Sequence, residues 1–199
     1  VERELRADVD HYSKAVVIGA WGSEAPCELG GEAVVEEGYM LFDSLPCNLK
    51  AQAGRFLSQF GAINRVHVHD YPWTTLPTPI SLYLGEEGYH EQGAALDSLW
   101  GRLAGGVLRH RLELTNGETH PFLAQQMAGN SDHPAYVNRF SWFGDTGRTS
   151  YLEIGASHLF GHNDAAGKQE TQLVGADFLW KWKHPSFGGF RSLVLQGEF

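Results

Sequence analysis

Alternation of apolar and polar residues constrains this chain most, and it is clearest in the segment 171–183, TQLVGADFLWKWK. One set of alternate positions is apolar and largely aromatic: Val174, Ala176, Phe178, Trp180 and Trp182. The intervening positions carry the charges: Gly175, Asp177, Leu179, Lys181 and Lys183. Because successive side chains of a strand point to opposite faces, this pattern predicts a β-strand with one apolar face and one polar face.

Two other segments repeat the pattern. In 107–115, the apolar positions Leu108, Leu112 and Leu114 alternate with Arg109, Arg111, Glu113 and Thr115, and His110 is the exception. In 150–160, the positions Leu152, Ile154, Ala156 and Phe160 oppose Glu153, Gly155 and Ser157, and His158 is the exception. Further strands are predicted at 6–21, 33–44, 48–58, 89–101, 135–144 and 189–199. The total is about nine strands of roughly the length that a tilted strand needs to cross a bilayer.

The predicted connections alternate in length along the chain. Short ones fall at 44–48, 102–106, 145–149 and 185–189. Longer ones fall at 22–32, 59–88, 116–134 and 161–170. Short turns at one rim and long loops at the other are typical of a membrane barrel whose first strand starts from the periplasmic side.

Aromatic residues lie close to the predicted short turns: Trp100, Trp142, Phe143, Tyr151, Trp180, Trp182 and Phe190. Amphipathic rings favour the boundary between lipid headgroups and the apolar bilayer core, so one aromatic rim is expected. The same rings could instead form the core of a soluble β-sandwich.

Composition narrows the function classes. With 24 acidic and 15 basic residues the net charge is −9, which argues against a nucleic-acid partner. No apolar run is long enough for a transmembrane helix, and the start of the sequence lacks a signal-peptide pattern. Motifs of hydrolases, zinc proteases and nucleotide-binding folds are missing, so the chain is not expected to be an enzyme.

These features predict an all-β fold in one domain, 1–199: an antiparallel, up-and-down transmembrane β-barrel. Barrels of bacterial single-chain proteins have an even number of strands, so about nine strands indicates an incomplete barrel. The polar strand faces supply the predicted pore-lining residues: Lys50, Gln52, Arg109, Arg111, Glu113, Arg139, Glu153, Asp177, Lys181 and Lys183. The longest connection, 59–88, is rich in apolar residues and is expected to fold into the barrel mouth, with an external lid as the alternative.

Some residue groups carry weaker predictions. His67, His69 and Asp70 could ligate a metal, but a His-x-His in a loop is more often hydrogen-bonded structure, so no metal or other cofactor is expected. The adjacent acids Glu36 and Glu37 should face opposite sides of a strand, which makes them poor partners for glycoside hydrolysis. Further histidines lie in or beside the predicted long loops: His90, His120, His133 and His162.

Cys27 and Cys47 fall at opposite ends of the strand 33–44 and should not pair, because that strand exceeds the reach of a disulfide.

Four stretches carry a resemblance to a known family. They are VVEEGYMLFDSLPCNLKAQAGRFLSQFGAINRVHVHDYPW (34–73), LGEEGYHEQGAAL (84–96), YLEIGASHLFGHND (151–164) and QLVGADFLWKWK (172–183). Together they resemble a family of porin-like outer-membrane proteins described as zinc-regulated, TonB-dependent outer-membrane receptors. The resemblance implies a barrel of the bacterial outer membrane that is involved in uptake. The chain departs from the pattern in lacking a recognisable plug domain and energy-coupling segment, so the resemblance does not imply energised transport.

The functional expectation is therefore a porin-like channel or receptor through which small solutes or ions pass. Its expected partners are outer-membrane lipid and the solutes or ions themselves, with a homo-oligomer as a further possibility. The main alternative is a soluble β-sandwich that binds carbohydrate through its tryptophans, and an outer-membrane enzyme comes third.

Overall fold

A computed structural model describes residues 2–22, 32–67, 70–71, 77–122, 133–164, 166–187 and 189–199. These residues form one sheet of ten strands, which we number in chain order. The first five are β1 (Glu2–Asp8), β2 (Ser13–Gly22), β3 (Glu32–Leu45), β4 (Leu49–Leu57) and β5 (His90–Leu103). The other five are β6 (Gly106–Thr115), β7 (Ala135–Asp145), β8 (Ser150–His162), β9 (Glu170–Lys183) and β10 (Ser192–Glu198).

Every strand pairs antiparallel with its neighbours in the sequence, so the sheet order is simply β1 to β10. The predicted all-β, antiparallel, up-and-down arrangement is confirmed. The sheet is not closed, because in the part of the chain that the structure describes β1 and β10 each pair on one side only. Closure into a transmembrane barrel therefore stays a prediction.

The prediction of a single first strand at 6–21 is wrong, because a hairpin divides this region into β1 and β2. The carboxylate of Asp10 accepts hydrogen bonds from the backbone N–H groups of Tyr12 and Ser13, both at 2.7 Å. An aspartate that bonds the backbone two and three residues ahead stabilises a tight turn. The described residues therefore contain ten strands, an even number, instead of about nine.

The predicted alternation of connection lengths is confirmed up to β8. The short connections there are 9–12, 46–48, 104–105 and 146–149, and the long ones are 23–31, 58–89 and 116–134. The last two connections reverse the order, since 163–169 has seven residues and 184–191 has eight. In an antiparallel meander the short turns all lie at one rim and the long loops at the other. The extra hairpin reverses the expected direction of the first strand, since β1 begins at the long-loop rim and runs toward the short turns.

A small apolar core lies at the long-loop end of the sheet. Its buried members are Phe60, Ile80, Leu84, Tyr89, Phe122, Ala135, Val137 and Leu159. Ile80 and Leu84 belong to the one α-helix of the described residues, α1 (Thr78–Leu84), which follows Pro77, has Pro79 in its first turn and is capped by Gly85. Loops and helix thus cover one face of the sheet, which we call the inner face. Among the described helices, none has both the length and the apolar character needed to cross a membrane.

Candidate functional site

Burial alternates along several strands, and toward the short-turn rim the buried positions are mostly polar. On β6, Arg111, Glu113 and Thr115 are buried, whereas Leu112 is 39% and Leu114 is 45% exposed. A water-soluble protein places leucine inside and charge outside, so this order is inverted. The strand has its charges on the inner face and its leucines on the opposite face, which we call the outer face.

Strand β9 shows the same inversion. Gly175 and Asp177 are buried on the inner face, while Val174 is 78% and Phe178 is 36% exposed. Trp180 is half-buried on the same outer face. The soluble-sandwich alternative would require a second sheet or helix over the outer face of β9. Within the described residues no such layer is present.

The aromatic residues lie at the short-turn ends of the strands, as predicted, but they do not all belong to one belt. The register pairs Phe143 with Val107 and Glu153, and it pairs Tyr151 with Lys181. Both rings therefore lie on the inner face. The expectation that all of these rings lie at the lipid boundary is therefore wrong for Phe143 and Tyr151. Neighbouring positions of a strand point to opposite faces, so Phe143 cannot share a face with Trp142.

All of the predicted pore-lining residues lie on the inner face. The register shows this by pairing inner positions across neighbouring strands, for example Arg111 with Arg139, Lys50 with Asp97 and Gly155 with Asp177. Their role in lining a pore stays a prediction. What the structure adds is which of them contact each other.

Arg111 is the centre of the first ionic cluster. Its guanidinium donates to Glu113 at 2.6 Å, to Asp97 at 2.5 Å and to the side-chain oxygen of Gln52 at 2.8 Å. Arg109 donates to the other oxygen of Asp97 at 2.5 and 2.8 Å. Four of the predicted residues thus meet on β4 and β6, and Asp97 joins the two arginines.

Arg139 is the centre of the second cluster. It forms two parallel hydrogen bonds to the Asp177 carboxylate, at 2.6 and 2.9 Å, and a third to the Ser157 hydroxyl at 2.9 Å. Both charged residues are almost fully buried. A buried ion pair is tolerated only when its hydrogen bonds are satisfied, and the bidentate geometry satisfies most of them here.

The segment 58–65 lies across the inner face and contacts both clusters. The Ser58 hydroxyl and the Gln59 backbone N–H donate to the Glu113 carboxylate at 2.6 and 3.0 Å. The Gly61 backbone N–H donates to the Ser157 hydroxyl at 3.0 Å. We call 58–65 the inserted segment, because it lies against the polar face that the sequence assigned to the lumen.

The far end of the inserted segment is held by acids on β8 and β10. The Glu198 carboxylate accepts the backbone N–H groups of Ala62 and Ile63, both at 2.9 Å, and Arg65 pairs with Glu153 at 2.9 Å. These contacts place the inserted segment against the polar strand face, whereas its predicted position in a barrel mouth stays a prediction.

Lys50, Lys181 and Lys183 behave differently from the other predicted residues. All three are exposed, lie near the short-turn rim, and make no ion pair within the described residues. Lys181 and Lys183 line an open cavity of about 950 Å³ formed by β7, β8, β9 and their short turns. Lys50 lines a separate cavity of about 540 Å³ next to β1 and β2.

Sequence reasoning missed Asp97, Glu198, Arg65 and Ser157 as members of the ionic clusters. Ser157 and Asp97 could have been predicted from the sequence, because each lies on the polar face of a predicted strand. Glu198 and Arg65 carried no local pattern, since their partners are distant in the sequence.

Of the predicted His67, His69 and Asp70 group, the structure describes His67 and Asp70. His67 contacts both acids of β3, with Nε2 2.6 Å from Glu37 and Nδ1 3.5 Å from Glu36. His69 lies outside the described residues, and within them no group of three or more residues is placed to hold a metal. Cys47 is exposed and free, while Cys27 lies outside the described residues.

The expectation that Glu36 and Glu37 face opposite sides of β3 is wrong. The pairing of β2 with β3 skips Glu36, because Ile18 pairs with Glu37 and Gly19 with Val35. A bulge of this kind interrupts the strict alternation of side chains. Both carboxylates consequently reach the same histidine.

Gly155 leaves the room that the second cluster needs. A Cβ at this position would lie 2.5 Å from Arg139 Nη2 and 2.6 Å from Asp177 Oδ2. We expect Gly155→Ala to lower the free energy of unfolding by roughly 1–3 kcal/mol, the usual effect of overpacking. Urea unfolding measures this change. Gly189→Ala is the matched control, because nothing lies within 4 Å of its Cβ, and an equal loss in both variants would contradict the steric account.

Tyr71 gives a prediction for alkaline pH. Its hydroxyl donates to the Ile63 carbonyl at 2.9 Å, and burial, with a smaller effect of Glu198, raises its pKa to about 12. Because the folded pKa lies above the ordinary value, the neutral form stabilises the fold below pH 10, and this contribution is lost as the pH rises from about 10 to 12. We expect Tyr71→Phe to lessen the alkaline decline but not to abolish it, because burial also raises the pKa of Tyr89, and thermal unfolding from pH 8 to 12 measures the difference. An unchanged decline in the variant would assign it to other groups.

Comparisons with known proteins yield one relative of unassigned role. The chain is 28% identical over 185 residues to an uncharacterized protein of Aquifex aeolicus, strain VF5. The similarity covers 84% of this chain but only 38% of the relative, so the chain spans well under half of that protein's length. No family model and no solved structure matches the chain.

Proposed function

We propose that this chain forms part of the wall of a porin-like channel in the bacterial outer membrane, through which small solutes or ions pass. The single observation that carries the proposal is the inverted sheet, with buried ionic clusters on the inner face and exposed leucine, valine and phenylalanine side chains on the outer face. Transmembrane β-barrels have this polarity, because their strands alternate between lipid-facing and lumen-facing residues.

The outer face favours lipid as its partner. Large exposed apolar side chains occur on nine of the ten strands, for example Leu5, Val17, Leu96 and Phe140. An apolar surface of this extent is rare on soluble monomers and marks a membrane or protein interface. A lipid environment would also require both sheet edges to be paired, since unpaired backbone groups in lipid each cost several kcal/mol. We therefore propose that β1 and β10 pair with further strands in the complete wall.

The inner face favours a restricted polar path. The inserted segment crosses it at the level of Glu113 and Ser157, and the open cavities lie on the short-turn side. A loop folded against the polar face narrows the route, so it would select solutes by size and charge. We propose passage through this narrowed route without energy coupling.

Planar bilayers test the proposal directly. We expect the chain, refolded in detergent together with whatever segments close its sheet, to give discrete conductance steps and heat-modifiable gel mobility. A protein that stays monodisperse without detergent and gives no conductance would overturn the channel proposal. Such a result, together with binding of an oligosaccharide, would favour the soluble carbohydrate-binding alternative.

A further inference from the structure

An open cavity of about 950 Å³ at the short-turn rim is lined by more cations than anions. Arg148, Lys181 and Lys183 contribute positive charge, while Asp145 and Glu153 contribute negative charge. Glu153 is already neutralised by Arg65, whose Nη1 lies 2.9 Å away. Within the described residues the three cations make no ion pair, so the cavity has an excess of uncompensated positive charge.

Most other cations of the inner face are paired, and Lys50 is an exception because it too forms no ion pair within the described residues. Arg65, Arg109, Arg111, Arg139 and Lys14 all contact a carboxylate within 3 Å. In a chain of net charge −9, unpaired cations gathered in one cavity are not explained by excess basic residues. Their position leaves three donors on each ammonium group open to the cavity.

The geometry of β9 places two of these cations side by side on the inner face. Lys181 and Lys183 are two positions apart on one strand, so both side chains point to the inner face with backbone attachments roughly 7 Å apart. Arg148 belongs to the facing turn 146–149, and Thr149 and Ser150, which carry hydroxyl groups, also line the cavity. Cations from two elements and neutral hydroxyl donors thus surround the same space.

We propose that this cavity binds a small divalent oxyanion, a phosphate or a dicarboxylate, between Arg148, Lys181 and Lys183. The proposal rests on the proposed function, because it names the class of solute that the inner face would accept. Two ammonium groups and a guanidinium match the charge of such an anion, and the guanidinium can bind two of its oxygens at once. The second cavity does not share this character, since Asp8, Asp10 and Asp43 line it beside Lys14 and Lys50.

Isothermal titration calorimetry of the full chain in detergent micelles at low ionic strength tests this site, with inorganic phosphate and succinate as separate probes. Saturable binding of either probe supports the site, and their relative affinities distinguish a compact phosphate from a longer dicarboxylate. We expect the double variant Lys181→Gln, Lys183→Gln to weaken binding roughly tenfold or more, because charge-assisted hydrogen bonds are the stronger ones.

Lys50→Gln is the matched control, because it removes one exposed inner-face charge outside this cavity. We expect it to leave the affinity nearly unchanged. Absence of saturable binding to the wild-type chain, or an equal loss in Lys50→Gln, would overturn the proposal. Conductance without anion binding would refute the anion site alone, whereas anion binding without conductance would refute the channel alone.

Discussion

Replacing Arg139 with methionine is expected to lower the free energy of unfolding by about 3–5 kcal/mol, because it leaves the Asp177 carboxylate buried without its partner. Asp177 receives two hydrogen bonds from Arg139, at 2.6 and 2.9 Å, and both residues are almost fully buried. The Ser157 hydroxyl would lose its contact with Arg139 as well. Urea unfolding in detergent micelles, followed by tryptophan fluorescence, measures the change.

Two further variants separate this explanation from a general effect of removing charge. Arg148→Met makes the same substitution at an exposed arginine without an ion pair, and it should change the free energy of unfolding by less than about 0.5 kcal/mol. The double variant Arg139→Met, Asp177→Leu should recover much of the loss, because an apolar pair can replace a buried ion pair. If the Arg139→Met variant were as stable as the wild type, the ion pair of Arg139 and Asp177 would not be buried in the assembled protein.

Replacing Gly61 with valine is expected to displace the inserted segment and to increase single-channel conductance. Gly61 has φ +69°, a conformation that costs a residue with a side chain about 1–2 kcal/mol. A Cβ there would also overlap the Glu198 carboxylate, which holds the Ala62 and Ile63 backbone N–H groups. Each of those hydrogen bonds to a charged group contributes about 1.5–3 kcal/mol, so their loss should release the segment.

Gly105→Val is the matched control for this prediction. Gly105 has φ +81°, but nothing lies within 4 Å of its Cβ, so the variant carries backbone strain without a steric conflict on the inner face. Planar-bilayer recordings of both variants should show larger conductance steps for Gly61→Val alone. Equal conductance in the wild type and Gly61→Val would mean that the inserted segment does not narrow the path.

The strand pattern could be predicted well because it is local. Alternation over ten or so residues fixed which side chains of β6, β7, β8 and β9 share a face, and the predicted pore-lining residues do lie together. Turn positions were also readable from the sequence, with one exception. The Asp10 hairpin was not predicted, because its connection 9–12 contains no glycine or proline, one of which is present in each of the other short turns.

One departure from the pattern came from a backbone irregularity, and the other came from reading position along a strand without reading its face. The bulge at Glu36 brings two adjacent carboxylates to one histidine, which strict alternation excludes. Phe143 and Tyr151 lie near the correct rim but on the inner face, because nearness to a turn does not specify direction. Both errors concern orientation, which one inserted or skipped residue reverses.

By itself the sequence determined the all-β class, the meander and the membership of the two sheet faces, because strand alternation and turn residues act between near neighbours. Only the tertiary structure decided which inner-face charges pair and where the longest connection lies. Glu198 holds Ala62 and Ile63 across 136 and 135 positions of sequence, and Gly61 reaches Ser157 across 96. Such contacts depend on the register of every strand between the two residues. A local sequence pattern carries no information about that combined register.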